Sequence, residues 1–551
     1  MCGKLAKWWM KEETEQARIN IRAVLPSAWL AMGLVLLSVA AGSAPRARAQ
    51  TEAGPTPDPR FGAVEAFWAP QAAAEAGLGW ERILFYWREI QPTGPEDWNT
   101  LHVLEEWLTE ARAQGREVVG VLKQTPGWAT DGVENAGIPR GLYLPLNHSD
   151  NLWANYVRRI AAYYGPLGVH HWVIWNEPDI DAGVYGYEYA GSVADYARLL
   201  KVAYLVMKET DPQAVIHLAG LTYWHDELAG RPQYLARLLQ TLATDPQARA
   251  HDFYFDVISL HIYFRAETVA PIVAAMDAIQ GEYGLGKPIW IDETNAAPNQ
   301  DPAWPVTRPD FDVSLEQQAW FLVQAHALGF AAGAARIGVY KFTDVLSAPG
   351  AEPFGLLRAD LTPRPAFTAY ATMTHLLAGF TAATTEENEA YYVVTFTQPE
   401  QVVRVLWARG AADVTVRLPA RAPRATLVDI FGAAQPLAPV DGQYTIPLAG
   451  AVCADECLIG GPPRYLVESL PLPTPTPTAT PPPTPTSTTT PAPTLTPTPT
   501  ATTTPIPTRP PASPAPPVRI ASGSELSSYW LLGLAALLCG LLVLVARRGR
   551  G

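Results

Sequence analysis

Two glutamates in this chain each follow a short apolar run. Residues 171–178 have the sequence HWVIWNEP, and residues 288–293 have the sequence PIWIDE. Parallel strands that are buried on both faces have such apolar sequences, and proline cannot donate to a sheet ladder, so each run is predicted to be a strand that ends near its glutamate. Either glutamate alone is equally well explained as the first residue of a loop or helix. Together, Glu177 and Glu293 suit paired acid and base chemistry.

Short apolar runs alternate with amphipathic stretches between residues 61 and 380. The eight predicted strands are 61–67, 82–87, 117–122, 171–176, 215–221, 256–263, 288–292 and 336–342. The predicted helices are 98–114, 151–164, 188–210, 233–243, 269–283, 315–330 and 365–377. This alternation predicts a parallel sheet, and eight units with a last helix favour a closed (β/α)8 TIM barrel over an open doubly wound sheet. No Gly-x-Gly-x-x-Gly motif follows the first run, which disfavours a dinucleotide-binding fold.

Composition narrows the classes of partner. The chain has 551 residues, 18 of them tryptophan, and a formal net charge of −13. This charge argues against a nucleic-acid-binding surface, and the tryptophans suit a protein that binds sugars. We expect no cofactor and no metal, because the histidines lack metal-ligand spacing and Cys453 and Cys457 lack a second ligand pair. These two cysteines are instead suited to a small disulfide loop.

The N-terminal segment has the order of charges and apolar residues of a signal peptide. Basic residues precede an apolar stretch at 28–41, and Ala47-Arg48-Ala49 follows it. We predict a signal peptide over residues 1–49 with cleavage after Ala49. The leader is long and contains glutamates, so two alternatives remain open: a start at Met10, or a segment that stays as an anchor.

Four segments are predicted after the barrel domain, which we assign to residues 50–380. Strand-like segments at 381–470 indicate a small all-β sandwich, which is expected to pack on the barrel rather than to bind carbohydrate. Residues 471–528 form a Pro/Thr-rich linker. Residues 529–546 are apolar enough for a transmembrane helix, with a sorting signal as the alternative, and residues 547–551 form a basic cytoplasmic tail. The barrel is thus expected on the extracellular face of the cell membrane.

The motif residues resemble those of the glycoside hydrolases of clan A, in the manner of families 39, 5 or 42. The resemblance covers about residues 61–377. It rests on Asn176-Glu177-Pro178 at the fourth strand and Glu293 at the seventh, on Arg82 in the second strand, and on His261-Ile262-Tyr263 at the end of the sixth. A carbohydrate substrate is the partner that it implies.

The resemblance also implies roles for these residues. Glu177 would be the acid/base and Glu293 the nucleophile of a retaining, double-displacement reaction. Cleavage of a glycosidic bond through an oxocarbenium-like transition state needs such a pair of carboxyl groups. Arg82 and Tyr263 would support Glu293, and Asn176 would bind the sugar 2-hydroxyl.

Further substrate-binding candidates come from strand ends, where barrel sites form. Trp68, Trp128 and Trp175 would offer flat rings to sugars, although any one of them is equally suited to core packing. His261 is a candidate wall of the site. Where many clan members have a tryptophan, after the eighth strand, this chain has Tyr340-Lys341. Lys341 is equally suited to bind an acidic sugar or to be a solvated charge at the rim.

Two alternatives to hydrolysis remain open from the sequence. A surface adhesin could retain the barrel and bind polysaccharide without turnover, but it would not need both glutamates. A transglycosylase shares the first half-reaction with a hydrolase, and the sequence does not separate these two activities.

Overall fold

The computed structural model describes residues 56–470, apart from 186, 307, 308, 310, 346–351, 454 and 455. The predicted signal peptide, linker, transmembrane helix and tail lie outside the described residues. Within residues 56–470, no described helix is both long and apolar enough to cross a membrane.

Eight parallel strands form the central sheet. They are β1 (Phe61–Val64), β2 (Trp80–Tyr86), β3 (Glu117–Lys123), β4 (His171–Ile174), β5 (Val215–Leu218), β6 (Ile258–Tyr263), β7 (Ile289–Asn295) and β8 (Arg336–Val339). Their order is β5-β4-β3-β2-β1-β8-β7-β6, and parallel bridges between His217 and Val257 and between Leu221 and Leu260 join the two ends. The predicted eight-stranded barrel is confirmed.

Helices connect successive strands and cover the barrel. They are α1 (Pro70–Glu75), α2 (Trp87–Ile90), α3 (Glu105–Ala113), α4 (Leu152–Tyr164), α5 (Ala182–Tyr185), α6 (Val193–Thr210), α7 (Trp224–Leu228), α8 (Tyr234–Leu242), α9 (Val269–Gly281), α10 (Leu315–Ala331) and α11 (Pro365–Leu377). Short 3-10 turns lie at Ala66–Trp68, Gly127–Ala129, Ala248–Tyr254 and Ala266–Thr268. The seven predicted helices are all present, and the additional ones span only four to six residues, too short to show a helical period.

The barrel interior below the strand ends is filled with bulky side chains. Trp80 and Trp290 pack at 5.4 Å between ring centroids, and valines from β3 and β4 surround them. Neighbouring strands make room for these rings with glycine: a Cβ placed on Gly62 would lie 2.1 Å from the Trp80 ring. The interior is therefore a packed core, and chemistry is confined to the carboxyl ends of the strands.

Eight antiparallel strands follow the barrel. They are β9 (Ala382–Glu387), β10 (Tyr391–Thr397), β11 (Gln401–Ala408), β12 (Val414–Pro419), β13 (Ala425–Asp429), β14 (Ala434–Leu437), β15 (Gln443–Leu448) and β16 (Arg464–Ser469). Six form one sheet, in the order β14-β13-β16-β11-β10-β9, and β12 pairs with β15 in the other. The sequence predicted six of these strands and missed β9 and β14, whose side chains are mostly exposed and so show no alternation of apolar and polar residues.

The larger antiparallel sheet contacts the helices of the barrel. Gln324 of α10 donates to the carbonyl of Gly461 at 2.9 Å and accepts from the amide of Gly460 at 3.0 Å, and Arg409 makes two hydrogen bonds with Glu267. Cys453 and Cys457 form a disulfide in the segment between β15 and β16, which also contains Gly460 and Gly461. This contact fits the packing role preferred from the sequence.

The close approach of Gly62 to Trp80 gives a test of the core. Gly62→Ala should lower the free energy of unfolding by about 1–3 kcal/mol, because the added methyl group must displace a buried indole. Denaturant unfolding followed by tryptophan fluorescence measures the change. Gly281→Ala is the matched control, since a Cβ there meets no atom within 4 Å. Equal stability of both variants would contradict this packing.

Candidate active site

Left-handed backbone conformations mark the carboxyl ends of the barrel strands. Non-glycine residues with positive φ follow five of the strands: Glu65 after β1, Gln124 after β3, Trp175 after β4, Tyr223 after β5 and Phe264 after β6. Glu177 itself has φ of 40°. Such conformations cost free energy and persist where the surroundings enforce them, which is typical of functional sites.

Glu177 is fixed at the exit of β4. The left-handed turn at Trp175 places the indole in the core, where its Nε1 donates to the carbonyl of Glu188 at 2.8 Å. The backbone amide of Glu177 donates to the carbonyl of Gly220 at 3.2 Å. Glu177 is 5 % exposed, so its carboxyl group lies in a largely dehydrated position.

A bulge in β7 brings two consecutive acidic side chains to the interior. The register with β6 passes from Leu260 opposite Ile291 to His261 opposite Glu293, so Asp292 is the extra residue. In a regular strand, consecutive side chains point to opposite faces, whereas a bulge redirects one of them. Asp292 and Glu293 are both buried and both contact Arg82.

Arg82 connects the acidic residues across the barrel. Its Nη1 donates to Oδ2 of Asp292 at 2.8 Å and lies 3.1 Å from Nε2 of His261, while its Nη2 is paired with Oε1 of Glu293. Burial by itself lowers the pKa of Arg82, but the charges of Glu293 and Asp292 outweigh it and raise that pKa. Arg82 is therefore a permanent cation beneath Glu293.

His261 lies between the two candidate catalytic glutamates. Its Nδ1 is 2.6 Å from Oε1 of Glu177 and 3.5 Å from Oε2 of Glu293, and its Nε2 is 3.5 Å from Oδ1 of Asp292. Burial lowers the pKa of His261, but the charges of Glu293 and Asp292 outweigh burial and raise it to about 10. His261 is only 2 % exposed, so it holds the carboxyl groups in place rather than forming a wall of the site.

The charges in this cluster leave one carboxyl group in excess. Arg82 is cationic, and with His261 protonated, as its raised pKa favours, the two cations balance the carboxylates of Asp292 and Glu293. Burial raises the pKa of Glu177, and the charge of Glu293 adds to this, against the opposing effect of His261. Burial also raises the pKa of Asp292, but His261 and Arg82 outweigh it and lower that pKa. The raised pKa makes Glu177 the candidate proton donor of this cluster.

Tyr263 borders Glu293, and Tyr340 packs against Tyr263. The hydroxyl group of Tyr263 donates to Oε2 of Glu293, as the resemblance implied. The Tyr340 ring stands at 6.1 Å from the Tyr263 ring, at the position where clan members often have tryptophan.

The remaining predicted binding residues differ in their exposure and in their contacts. The Asn176 side chain is half-buried, directly before Glu177 in the chain. Trp68 is 49 % exposed and packs on Phe67 and Trp107. Trp128 is half-buried, and its Nε1 donates to the carbonyl of Gln91.

Trp175 does not fit the role expected from the sequence. Its indole has 0 % exposure and packs against Tyr189. It offers no surface to a sugar, because the left-handed turn at its own backbone places it in the core. Trp175 is therefore a packing residue in this structure.

Several contributors to the site were not identified from the sequence. Asp292 was not assigned a role, because alternation along a regular strand places it opposite to Glu293. Lys123 at the end of β3 donates to Glu188 at 2.7 Å. Asp179 accepts from the amide and hydroxyl group of Thr222, at 2.7 and 2.9 Å, and ties the Glu177 loop to the exit of β5. A carboxylate directly after the motif, two residues beyond Glu177, was the only sequence signal for this last contact.

Glu177, His261 and Glu293 are also the one group of described residues with potential metal-ligand geometry. A carboxylate oxygen from each glutamate and a ring nitrogen of His261 lie within 4.8 Å of one another. A metal ion here would have to displace the hydrogen bonds from Arg82, Tyr263 and His261. The donor set therefore fits an acid/base site better than a metal site.

Comparison with known proteins identifies the fold. No family model and no curated protein matches the chain. Among solved structures, a family 39 glycoside hydrolase from Bacteroides cellulosilyticus WH2 matches with a TM-score of 0.57 and 17% identity, over 75% of this chain and 81% of that chain. A monomeric β-xylosidase from Caulobacter crescentus CB15 matches at 0.51 and 15%, over 76% and 96% of the two chains. A GH30 endoxylanase from Clostridium papyrosolvens C71 matches at 0.50 and 14%, over 75% and 97%.

The similarity to these solved structures concerns the architecture of the chain. The chain has the fold of glycoside hydrolases that combine a (β/α)8 barrel with antiparallel sheets. At these identities the likeness concerns the fold, and the chemistry has to be argued from the residues of this chain.

The pKa of Glu177 gives a test of the charge arrangement. Glu293→Gln should lower the pKa of Glu177, because the negative charge that favours its protonated form is removed. Carbon-13 NMR titration of labelled glutamate carboxyl groups measures this pKa, and a Glu177→Gln spectrum assigns the signal. Glu117→Gln, which removes a carboxylate at the opposite end of the barrel, is the control. An unchanged or higher pKa in the Glu293→Gln variant would contradict the proposed coupling.

Proposed function

We propose that this protein is a retaining glycoside hydrolase that cleaves O-glycosidic bonds of oligo- or polysaccharides. The observation that carries the proposal is the spacing of Glu177 and Glu293, which have one carboxylate oxygen each within 4.8 Å of the other. Retaining enzymes hold their two carboxyl groups about 5–5.5 Å apart, whereas inverting enzymes hold them about 6.5–9.5 Å apart to admit a water molecule. The short spacing supports direct attack by a glutamate.

The environments of the two glutamates suit different roles in this reaction. Glu177, with its raised pKa, donates a proton to the leaving oxygen. Glu293, held by Arg82 and Tyr263, attacks the anomeric carbon as the bond to the leaving group breaks. Asn176 stands beside Glu177, where its amide would bind the sugar 2-hydroxyl.

The second half of the reaction regenerates both glutamates. Glu177, now ionised, takes a proton from a water molecule, and the oxygen of that water attacks the anomeric carbon and releases Glu293. Formation of the covalent intermediate removes the charge of Glu293. The pKa of Glu177 then falls, which makes Glu177 a base in this step.

The stereochemical course tests this mechanism. The first-formed product should have the same anomeric configuration as the substrate, because two displacements at one carbon restore it. Proton NMR, recorded before mutarotation, distinguishes the two anomers for any glycoside that a glycan-library digest identifies as a substrate. A product of inverted configuration would exclude Glu293 as the nucleophile.

The Glu177→Ala variant tests whether Glu177 acts in catalysis rather than in substrate binding. This variant should retain substrate binding but lose turnover by about 100-fold or more, and azide should restore part of the activity by attacking the glycosyl-enzyme. Unchanged turnover would remove Glu177 from the mechanism. Binding without turnover in the wild-type protein would favour the adhesin, and sugar transfer to acceptors other than water would favour a transglycosylase.

We infer from the sequence that the enzyme works at the extracellular face of the cell membrane. The support is a signal-like segment at 1–49, followed by a catalytic domain at 50–380, a β-sandwich at 381–470 and a linker at 471–528. An apolar segment at 529–546 and the arginine-rich residues 547–551 complete this order. Arginines directly after an apolar segment remain on the cytoplasmic side, which would orient the barrel outwards.

Protease treatment of intact cells tests this topology. Epitopes of the barrel should be lost without lysis, whereas a cytoplasmic control protein remains intact. Barrel epitopes that survive on intact cells and disappear only after lysis would contradict export.

A further inference from the structure

Two lysine–glutamate pairs lie at the carboxyl ends of the strands, beside the candidate catalytic residues. Nζ of Lys341, just after β8, is 3.6 Å from Oε2 of Glu65, just after β1. Nζ of Lys123, the last residue of β3, is 2.7 Å from Oε2 of Glu188. The four side chains are only 12–19% exposed, so these are built ion pairs rather than solvated surface charges.

The strand register places the two pairs along one arc of the barrel mouth. Tyr86, the last residue of β2, is the register partner of Lys123. The amide of Glu65 donates to the carbonyl of Arg82 at 2.9 Å, and the carbonyl of Glu188 accepts from the indole of Trp175. We call Lys341, Glu65, Tyr86, Lys123 and Glu188 the polar belt. It runs from β8 through β1, β2 and β3 to the exit of β4, where Glu177 stands.

Electrostatic coupling agrees with this placement. Burial raises the pKa of Glu177, and Glu188 is among the charges that raise it further. Burial also raises the pKa of the Tyr86 phenol, and the charges of Lys123, Glu65 and Glu188 act on it. The polar belt and the candidate acid therefore belong to one electrostatic environment.

The charges of the polar belt bear on the kind of sugar that fits. Each lysine already has a carboxylate partner, so a uronic acid would bring its own carboxylate against Glu65 or Glu188 without an unpaired cation to receive it. A sugar hydroxyl group meets no such obstacle, because it both donates and accepts hydrogen bonds. The 3.6 Å between Lys341 and Glu65 exceeds a hydrogen-bond distance, and a hydroxyl group can bridge the two.

The geometry points to the polar belt as the specificity-determining part of the sugar-binding site, which selects an uncharged glycone, recognised through its hydroxyl groups, over a uronic acid. This inference rests on the proposed glycosidase function and adds the substrate class. It also separates the two roles that the sequence left open for Lys341, since a lysine paired with Glu65 is neither a receptor for an acidic sugar nor a solvated charge.

Aryl glycosides that differ only at C6 provide the test. Matched pairs such as glucoside and glucuronide, or galactoside and galacturonide, in both anomeric forms, are compared on the full-length protein. The neutral member of any pair that is cleaved should have a kcat/KM higher by about 100-fold or more, because the uronate must disrupt a largely desolvated ion pair. Equal values, or a preference for the uronide, would overturn the inference.

A matched set of variants locates the effect. Glu65→Gln leaves Lys341 without a carboxylate and should raise the uronide-to-neutral ratio of kcat/KM about tenfold or more. Lys341→Met removes the cation and should not raise this ratio. Glu117→Gln removes the partner of Arg336 at the opposite end of the barrel and should leave it unchanged. An unchanged ratio in Glu65→Gln, with a wild-type thermal melt, would also overturn the role of the polar belt.

A failure of the proposed function has a different signature. If no glycoside of either kind is cleaved, the glycosidase proposal fails, and the polar belt is judged by binding alone. Calorimetry with neutral sugars and their uronates should then still show the neutral preference. Tighter binding of the uronates would overturn the inference independently of turnover.

Discussion

The site depends on the burial of one guanidinium group inside the barrel. A cation such as Arg82 is stable in a dehydrated position only when carboxylates surround it, and Asp292 and Glu293 supply them. The regular alternation of β7 would bring only one of these side chains inwards, so the bulge at this point is a consequence of the same requirement. His261, within reach of both carboxylates, becomes the second cation. The arrangement of the catalytic face follows from this pairing.

The packed barrel core beneath the site offsets the free-energy cost of the unfavourable backbone conformations at the strand exits. Left-handed residues at five strand exits are unfavourable conformations, and backbone hydrogen bonds between neighbouring strands hold some of them: Glu65 donates to Arg82, and Phe264 donates to Asn295. The packed core around Trp80 and Trp290 and the contact of the antiparallel sheets with α10 limit how far the strands can relax. Strain at the barrel mouth is thus offset by packing elsewhere, which leaves Glu177 with little conformational freedom.

The sequence predicted the repeating elements better than the details of the site. Apolar runs and amphipathic stretches report burial, so the eight barrel strands and the seven longer helices were recognisable, as were Glu177, Glu293, Arg82 and Tyr263 through their motif positions. A periodic pattern of apolar residues does not show where the regular structure is interrupted by a bulge or a turn. The bulge that turns Asp292 inwards, the left-handed turn that buries Trp175, and the place of His261 between the glutamates depend on long-range contacts that no local pattern encodes.

The balance of charge links the catalytic cluster to the polar belt. In the cluster, two cations offset two carboxylates, and Glu177 is left as a carboxyl group that is neutral only when it carries a proton. In the polar belt, each lysine is offset by its own glutamate. Because each cation of the two groups is already paired with a carboxylate, an added negative charge would meet no unpaired cation within them, whereas loss of the charge on Glu293 favours ionisation of Glu177. In the proposed reaction, this balance would suit one mobile proton and an uncharged substrate, and both properties would have the same electrostatic origin.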